Sequence, residues 1–177
     1  MFKIFECPLQ ICICDTGTHL NFSIQHYQDI DYLIFLNQII EYLDLAPHPE
    51  GGWFRQTWVA ENDGRPNGTC IYFLLKQDET SHWHRVDATE IWLYHAGAPL
   101  VLSMSSNDQG PAVDHLLTPD LTCGAPQVIV PTGYWQAAQS TGAFTLVSCT
   151  VSPGFEFAGF TLAPEGFDIP RIAPSET

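Results

Sequence analysis

Basic residues are scarce in this chain: six lysines and arginines stand against twenty aspartates and glutamates in 177 residues, a formal charge of -14. No cluster of positive charge is available to follow a phosphate backbone or an anionic bilayer surface, so neither nucleic acid nor membrane is expected as a partner. Long apolar runs are lacking as well. Stretches such as "YLIFL" and "QVIV" fall far short of the roughly 20 residues that cross a bilayer. The six cysteines, Cys7, Cys12, Cys14, Cys70, Cys123 and Cys149, include no C-x-x-C pair, which argues against a zinc ribbon or a thioredoxin-like motif. The opening "MFKIFECPLQICICDTG" breaks its apolar positions with Glu6, Pro8 and Gln10 and has only Lys3 as a positive flank, a poor secretory signal. Reduced thiols in a cytoplasm are the expectation.

What the chain does have is 45% hydrophobic and 12% aromatic residues, enough for a sizeable core at the length of one ordinary domain. Residues 1–28 show no clean periodicity and read as an N-terminal extension. From Asp31 the spacing of Leu33, Leu36, Ile40 and Leu43, with Asp29 or Asp31 as N-cap and Pro47 beyond the end, predicts one amphipathic helix. Ten short β-branched and aromatic segments follow, near 53–59, 70–75, 81–84, 89–95, 99–104, 113–117, 127–130, 134–138, 144–151 and 156–162. Turn residues such as "NDGRPNG" and "SSNDQGP" separate them. This is an all-β pattern, an antiparallel sandwich or closed barrel. The domain is expected over 29–170, with 171–177 as a proline-rich tail.

The stretch "SHWHRVDATEIWLYHAG", residues 81–97, concentrates the chemistry. Strict strand alternation puts His82 and His84 on one face and Trp83 on the other, while Glu90, Trp92 and Tyr94 share a face on the next segment. If both sets look inward, two imidazoles and a carboxylate converge, a set that suits iron, manganese, nickel or zinc with open positions for water or substrate. "PTGYWQ", residues 131–136, can bring the Gln136 amide to the same place. In "HPEGGWFRQTW", Gly51 and Gly52 permit a tight path leading Glu50 and Arg55 toward the sheet. Arg55 either grips a carboxylate, phosphate or sugar hydroxyl of a ligand or pairs with Glu50 to fix the turn. Tyr72, Trp92, Tyr94 and Trp135 are candidates for an aromatic wall that stacks on a sugar ring, or for plain core. His48 and His95 read as structural.

H-x-H, then Glu90 and Gly97, and later Pro131-x-Gly133 resemble the two motifs of the cupin superfamily. More narrowly, "HPEGGWFRQTW", "IYFLL", "HWHRVDATEIWLYHAGAPL", "PQVIVPTGYWQAA" and "FTLVSCTVSPGFEFAGFTL" are similar to a cupin branch known as a domain of unknown function, over roughly residues 35–170. The resemblance implies a jelly-roll barrel, a homodimer, and a divalent transition metal (zinc, manganese, iron or nickel) held by His82, His84, Glu90 and Gln136. It also implies an isomerase- or epimerase-type activity on a sugar-like or small polar metabolite. A metal-free variant would use His84 as base, steered by Glu90, with a tyrosine returning the proton. The alternative is a binding module that holds a small ligand without chemistry. Three departures bear on the metal: the longer His84 to Glu90 interval, Lys76 where a glycine is usual, and Gln136 where the second motif commonly has histidine.

Overall fold

The turn-punctuated segments become antiparallel strands in the computed structural model, which describes residues 35–171. A helix covers residues 35–42, with Leu36 buried. The expected N-caps Asp29 and Asp31, Leu33 and the extension over 1–28 lie outside the described residues. The strands are β1 (Ala46–Pro47), β2 (Trp53–Ala60), β3 (Gly68–Lys76), β4 (Thr80–Val86), β5 (Thr89–Gly97) and β6 (Leu100–Ser105). After them come β7 (Val113–Leu117), β8 (Gln127–Val130), β9 (Trp135–Ser140), β10 (Phe144–Ser152) and β11 (Phe160–Leu162). The two-residue β1 has no counterpart in the sequence pattern. The segment expected at 156–162 instead opens with a 3-10 turn, Phe157–Gly159, before β11.

Six strands form one sheet in the order β1-β2-β3-β10-β5-β8, and five form a second in the order β11-β4-β9-β6-β7. Non-consecutive neighbours such as β3-β10-β5 and β4-β9-β6 wind the chain back and forth between the sheets, a jelly-roll connection. Alternation along each strand sends one set of side chains between the sheets. Phe73 and Leu75 of β3, Trp92 of β5 and Val147 and Cys149 of β10 meet Leu100, Leu102 and Met104 of β6 and Ala138 of β9 in one buried cluster. Each large apolar side chain buried in this way contributes about 1.5–3 kcal/mol.

A second cluster lies on the outer face of the five-stranded sheet. Trp83 and Trp135 are covered there by Ala163, Phe167 and Ile169, and the Trp83 indole donates to Asp168 at 2.8 Å. The end of the described chain thus packs over this face, held further by Arg171 on Asp114 at 3.1 Å. No helix among the described residues is long and apolar enough to cross a membrane. Cys70, Cys123 and Cys149 are free thiols.

Candidate active site

One end of the space between the sheets stays open as a cavity of about 80 Å³, lined by side chains of β2, β3, β4, β5 and β10 and of the segment after β10. Four titratable groups stand in its wall: His48, Glu50, His84 and Glu90. The rest of the wall is mostly hydrocarbon, including Phe54, Phe73, Phe155, Phe157 and Phe160.

Glu50 reaches this position through its two following glycines. Gly51 and Gly52 both take positive φ, 107° and 70°, the region that L side chains avoid. A side chain at Gly51 would collide with the carbonyl oxygen of Thr80, so only glycine lets the loop lie against β4. The loop is tied there by the His82 amide, which donates to the Glu50 carbonyl at 2.8 Å.

That amide is available because β4 carries a bulge. Ser81 pairs with Ala138 and His84 with Gln136, three steps on β4 against two on β9. The extra residue reverses the alternation. His84 therefore faces the cavity, and the buried Ser81 hydroxyl donates to Glu50 Oε1 at 2.8 Å. His82 turns away: its Nε2 lies 3.0 Å from the carbonyl of Pro164, in a groove on the outer face of the five-stranded sheet. The expected shared face of His82 and His84 is thus corrected.

The hydrogen bonds fix the protons. His84 Nδ1 faces the carbonyl of His82 at 2.8 Å; a carbonyl only accepts, so this nitrogen carries the hydrogen, and in the neutral ring that burial favours Nε2 is bare. His48 Nδ1 receives the backbone N–H of Glu50 at 3.3 Å and is bare as well. Glu50 Oε2 lies 3.3 Å from His84 Nε2 and 3.4 Å from His48 Nδ1. A carboxylate would set negative charge against two lone pairs, whereas a protonated carboxyl donates to His84 Nε2. Burial acts in the same sense, pushing the Glu50 carboxyl up to about 8 against the pull of the Ser81 hydroxyl. It also holds His48 down to about 4, helped by the nearby His84, and lowers His84 despite the attraction of Glu90.

Glu90 has different surroundings. Gln136 Nε2 donates to its Oε2 at 2.6 Å, and the Cys149 thiol bonds to it too. Burial raises its pKa while His84, Gln136 and Cys149 pull back toward the ionised form. The orientation of Gln136 is settled by Trp92, whose indole N–H only donates and meets Gln136 Oε1 at 3.0 Å. The amide oxygen proposed as a metal ligand is therefore already engaged, and its NH₂ faces Glu90.

The structure thus brings together His84 and Glu90 with Glu50, and leaves other candidates elsewhere. Trp92 and Tyr94 pack into the buried cluster, but Tyr72 and Trp135 do not join them. Trp135 is on the outer face of the five-stranded sheet under Phe167 and Arg85. Tyr72 is T-shaped against His95, which bonds Ser148 at 2.6 Å. Arg55 lies beside Tyr72, its guanidinium carbon 5.9 Å from the ring centre, and it points away from Glu50 because its neighbour Phe54 takes the cavity face. Its buried Nε has no hydrogen-bond partner among the described residues. His48, read as structural, and Ser81, Cys149 and the phenylalanines belong to the site. The spacing of His48 and Glu50 before two glycines was the available signal for the first.

Two facing antiparallel sheets with this connection and a cavity at one end define a cupin barrel. Residues 37–163 match the family described as Cupin superfamily (DUF985), and the chain belongs to that family. It is similar to a solved protein of Shewanella oneidensis, at 37% identity and a TM-score of 0.68 over 72% of this chain and 83% of that one. A hypothetical protein from Leishmania major is similar at 29% identity and a TM-score of 0.66, over 72% of this chain and 86% of that one. Oxalate decarboxylase from Bacillus subtilis shares the fold at 14% identity and a TM-score of 0.52, covering 66% of this chain and 29% of that one. No curated protein matches the chain in sequence.

The metal implied by the superfamily resemblance does not fit the residues present. His82 is turned outward and Gln136 is spent on Trp92 and Glu90. Among the described residues no group of three or more His, Cys, Asp and Glu side chains is placed to hold a metal ion.

Proposed function

We propose that the cavity is a metal-free proton-transfer site that interconverts a small carbonyl compound and its enol, as in an isomerisation or epimerisation. The observation that carries this is the contrast between two buried carboxyls in one cavity. Burial raises both, but Glu50 faces a bare imidazole nitrogen and holds its proton, while Glu90 is pulled back toward the ionised form by His84 and two hydrogen-bond donors. Two carboxyls whose surroundings act unequally on their protons are the pattern of an acid and a base.

In this reading Glu90 takes the proton from the carbon beside the carbonyl. Glu50 gives its proton to the carbonyl oxygen, leaving an enol, a protonated Glu90 and an ionised Glu50. Return of the Glu90 proton to the carbon and of the enol proton to Glu50 restores both groups. His84 positions Glu50 through a ring whose Nδ1–H stays on the His82 carbonyl, and the Ser81 hydroxyl donates to the carboxylate that Glu50 becomes. Tyrosine has no part in this reading, since none lines the cavity among the described residues. A homodimer belongs to the same reading, supported by exposed Ile129 and Val113 on the edge strands β8 and β7, and light scattering tests it.

The test of the chemistry is hydrogen–deuterium exchange of small ketones and aldehydes in D₂O with the chelator-treated protein, followed by NMR. Catalysed exchange is expected, falling about 10²- to 10⁴-fold in Glu90→Gln and Glu50→Gln. Exchange that disappears with the chelator and returns with zinc or manganese would replace this reading with the metal one. Saturable binding with no exchange would leave a binding module.

A further inference from the structure

Charge and hydration of the cavity wall go further and name the class of molecule it takes. This step rests on the cavity being the ligand site, as proposed above. Among the described residues no lysine or arginine lines it, although two carboxyls do. Arg55, the one guanidinium near in sequence, is on the other face of its strand, over Tyr72. An anion entering here would lose its hydration, find no cation and meet Glu90, at a cost of several kcal/mol. Carboxylates and phosphate esters are excluded on that ground.

The hydrocarbon wall selects against sugars in a similar way. Around the carboxyl end the lining is phenyl and branched alkyl, and Phe155, Phe157 and Phe160 stack edge-to-face on one another at centroid distances of 5.1–6.2 Å. A monosaccharide carries hydroxyls on every side, and each one set against a phenyl face would forfeit its hydrogen bond. A cavity of about 80 Å³ takes on the order of five water-sized groups. One end of a fitting molecule meets Glu50 and its proton, and the remainder meets a wall that is mostly hydrocarbon, with Gln56 and Thr69 as its other polar side chains besides His48, His84 and Glu90.

Phe157 adds an independent sign. It lines the cavity, yet it is 62% exposed and sits in the short 3-10 turn between β10 and β11. A large apolar side chain left in water at the lip of an apolar cavity gains burial only when something apolar sits beneath it.

We propose that the site selects an uncharged carbonyl compound with a compact hydrocarbon body, held by Glu50 at its oxygen and by the Phe155, Phe157 and Phe160 cluster around its carbon skeleton. Three probes of one shape separate the possibilities: cyclopentanone, cyclopentanecarboxylate and cyclopentylamine, titrated calorimetrically at neutral pH. The ketone is expected to bind at least about tenfold more tightly than the carboxylate and the amine. Phe157→Ala, at an exposed position that the fold tolerates, should weaken the ketone by roughly tenfold. Equal or tighter binding of the carboxylate, a preference for the amine, ketone binding indifferent to both Phe157→Ala and Phe155→Ala, or no ketone binding up to its solubility would each overturn the assignment. The proton-transfer reading fails separately. Selective ketone binding without exchange of its α-hydrogens leaves the selectivity intact and removes the chemistry, whereas exchange with a preference for the anion does the reverse.

Discussion

Glu50 Oε2 lies 3.3 Å from His84 Nε2, a contact between two buried groups. Burial holds the His84 ring in its neutral form, and its one hydrogen is committed at Nδ1 to the His82 carbonyl, so the proton between the pair belongs to the carboxyl. Two neutral partners avoid the large desolvation cost of a buried ion pair, and they leave a protonated acid facing an apolar cavity.

Stability should therefore fall with rising pH near neutrality. Glu50 releases its proton near 4.5 when unfolded and near 8 in the fold, so unfolding sheds a proton between those values and its contribution is lost as pH rises toward 8. The upward shift of Glu90 acts in the same direction. His48, lowered from 6.5 to about 4, works oppositely, with stability lost as pH falls from 6.5 toward 4. Between pH 6.5 and 8 Glu50 dominates, contributing at most about 1.4 kcal/mol per pH unit. Denaturant unfolding at the two pH values should show the wild type losing up to about 2 kcal/mol more than Glu50→Gln. Parallel losses would mean that Glu50 is already ionised at pH 6.5.

The bulge in β4 makes the two histidines unequal. His82→Ala gives up one hydrogen bond to Pro164 on the outer face, about 1 kcal/mol, and should leave ketone exchange within about twofold of the wild type. His84→Ala removes the acceptor of Glu50 and should lower exchange at least about 10²-fold. Similar losses in both variants would contradict the placement of His82.

Gln136 bridges Trp92 and Glu90 while fully buried. Gln136→Leu keeps much of the volume but leaves an indole N–H and a carboxyl oxygen without this partner, at about 1–3 kcal/mol each. Calorimetric melting should show a drop of that combined size. An unchanged melting temperature would show that the bridge carries no stability.

Gly51→Ala tests the loop that delivers Glu50. The φ of 107° and the nearby Thr80 carbonyl together put the expected destabilisation at about 2–4 kcal/mol. Gly64→Ala, also at positive φ but with open space around it, should cost only about 1–2 kcal/mol. If the two variants unfold alike, close packing of the loop on β4 is not what requires glycine.

Most of the strands were legible because turn residues bracket them, and the alternation of Glu90, Trp92 and Tyr94 reads correctly along β5. The same rule misplaces His82, because a bulge adds a residue to one strand without any mark in "SHWH". Arg55 and Tyr72 fall on the outer face, since Phe54 and Phe73 claim the inner positions. Glu50 was visible as a residue carried toward the sheet by Gly51 and Gly52, but its role as proton holder depends on its own loop, with His48, meeting Ser81 and His84 of β4. Spacing within one segment carries no trace of such a meeting. The phenylalanines after β10 escaped for the same reason, as a wall exists only once β2, β3 and that segment are side by side.

The ionisation of Glu50 itself is the most direct test. With ¹³C-labelled glutamate, and Glu50→Gln to assign the resonance, the Glu50 side-chain carboxyl carbon is followed by NMR from pH 5 to 9. The signal should stay at the protonated position through pH 7 and titrate near 8. A carboxylate signal already at pH 6, with a midpoint in the ordinary carboxyl range, would contradict the protonated pair and the acid role built on it.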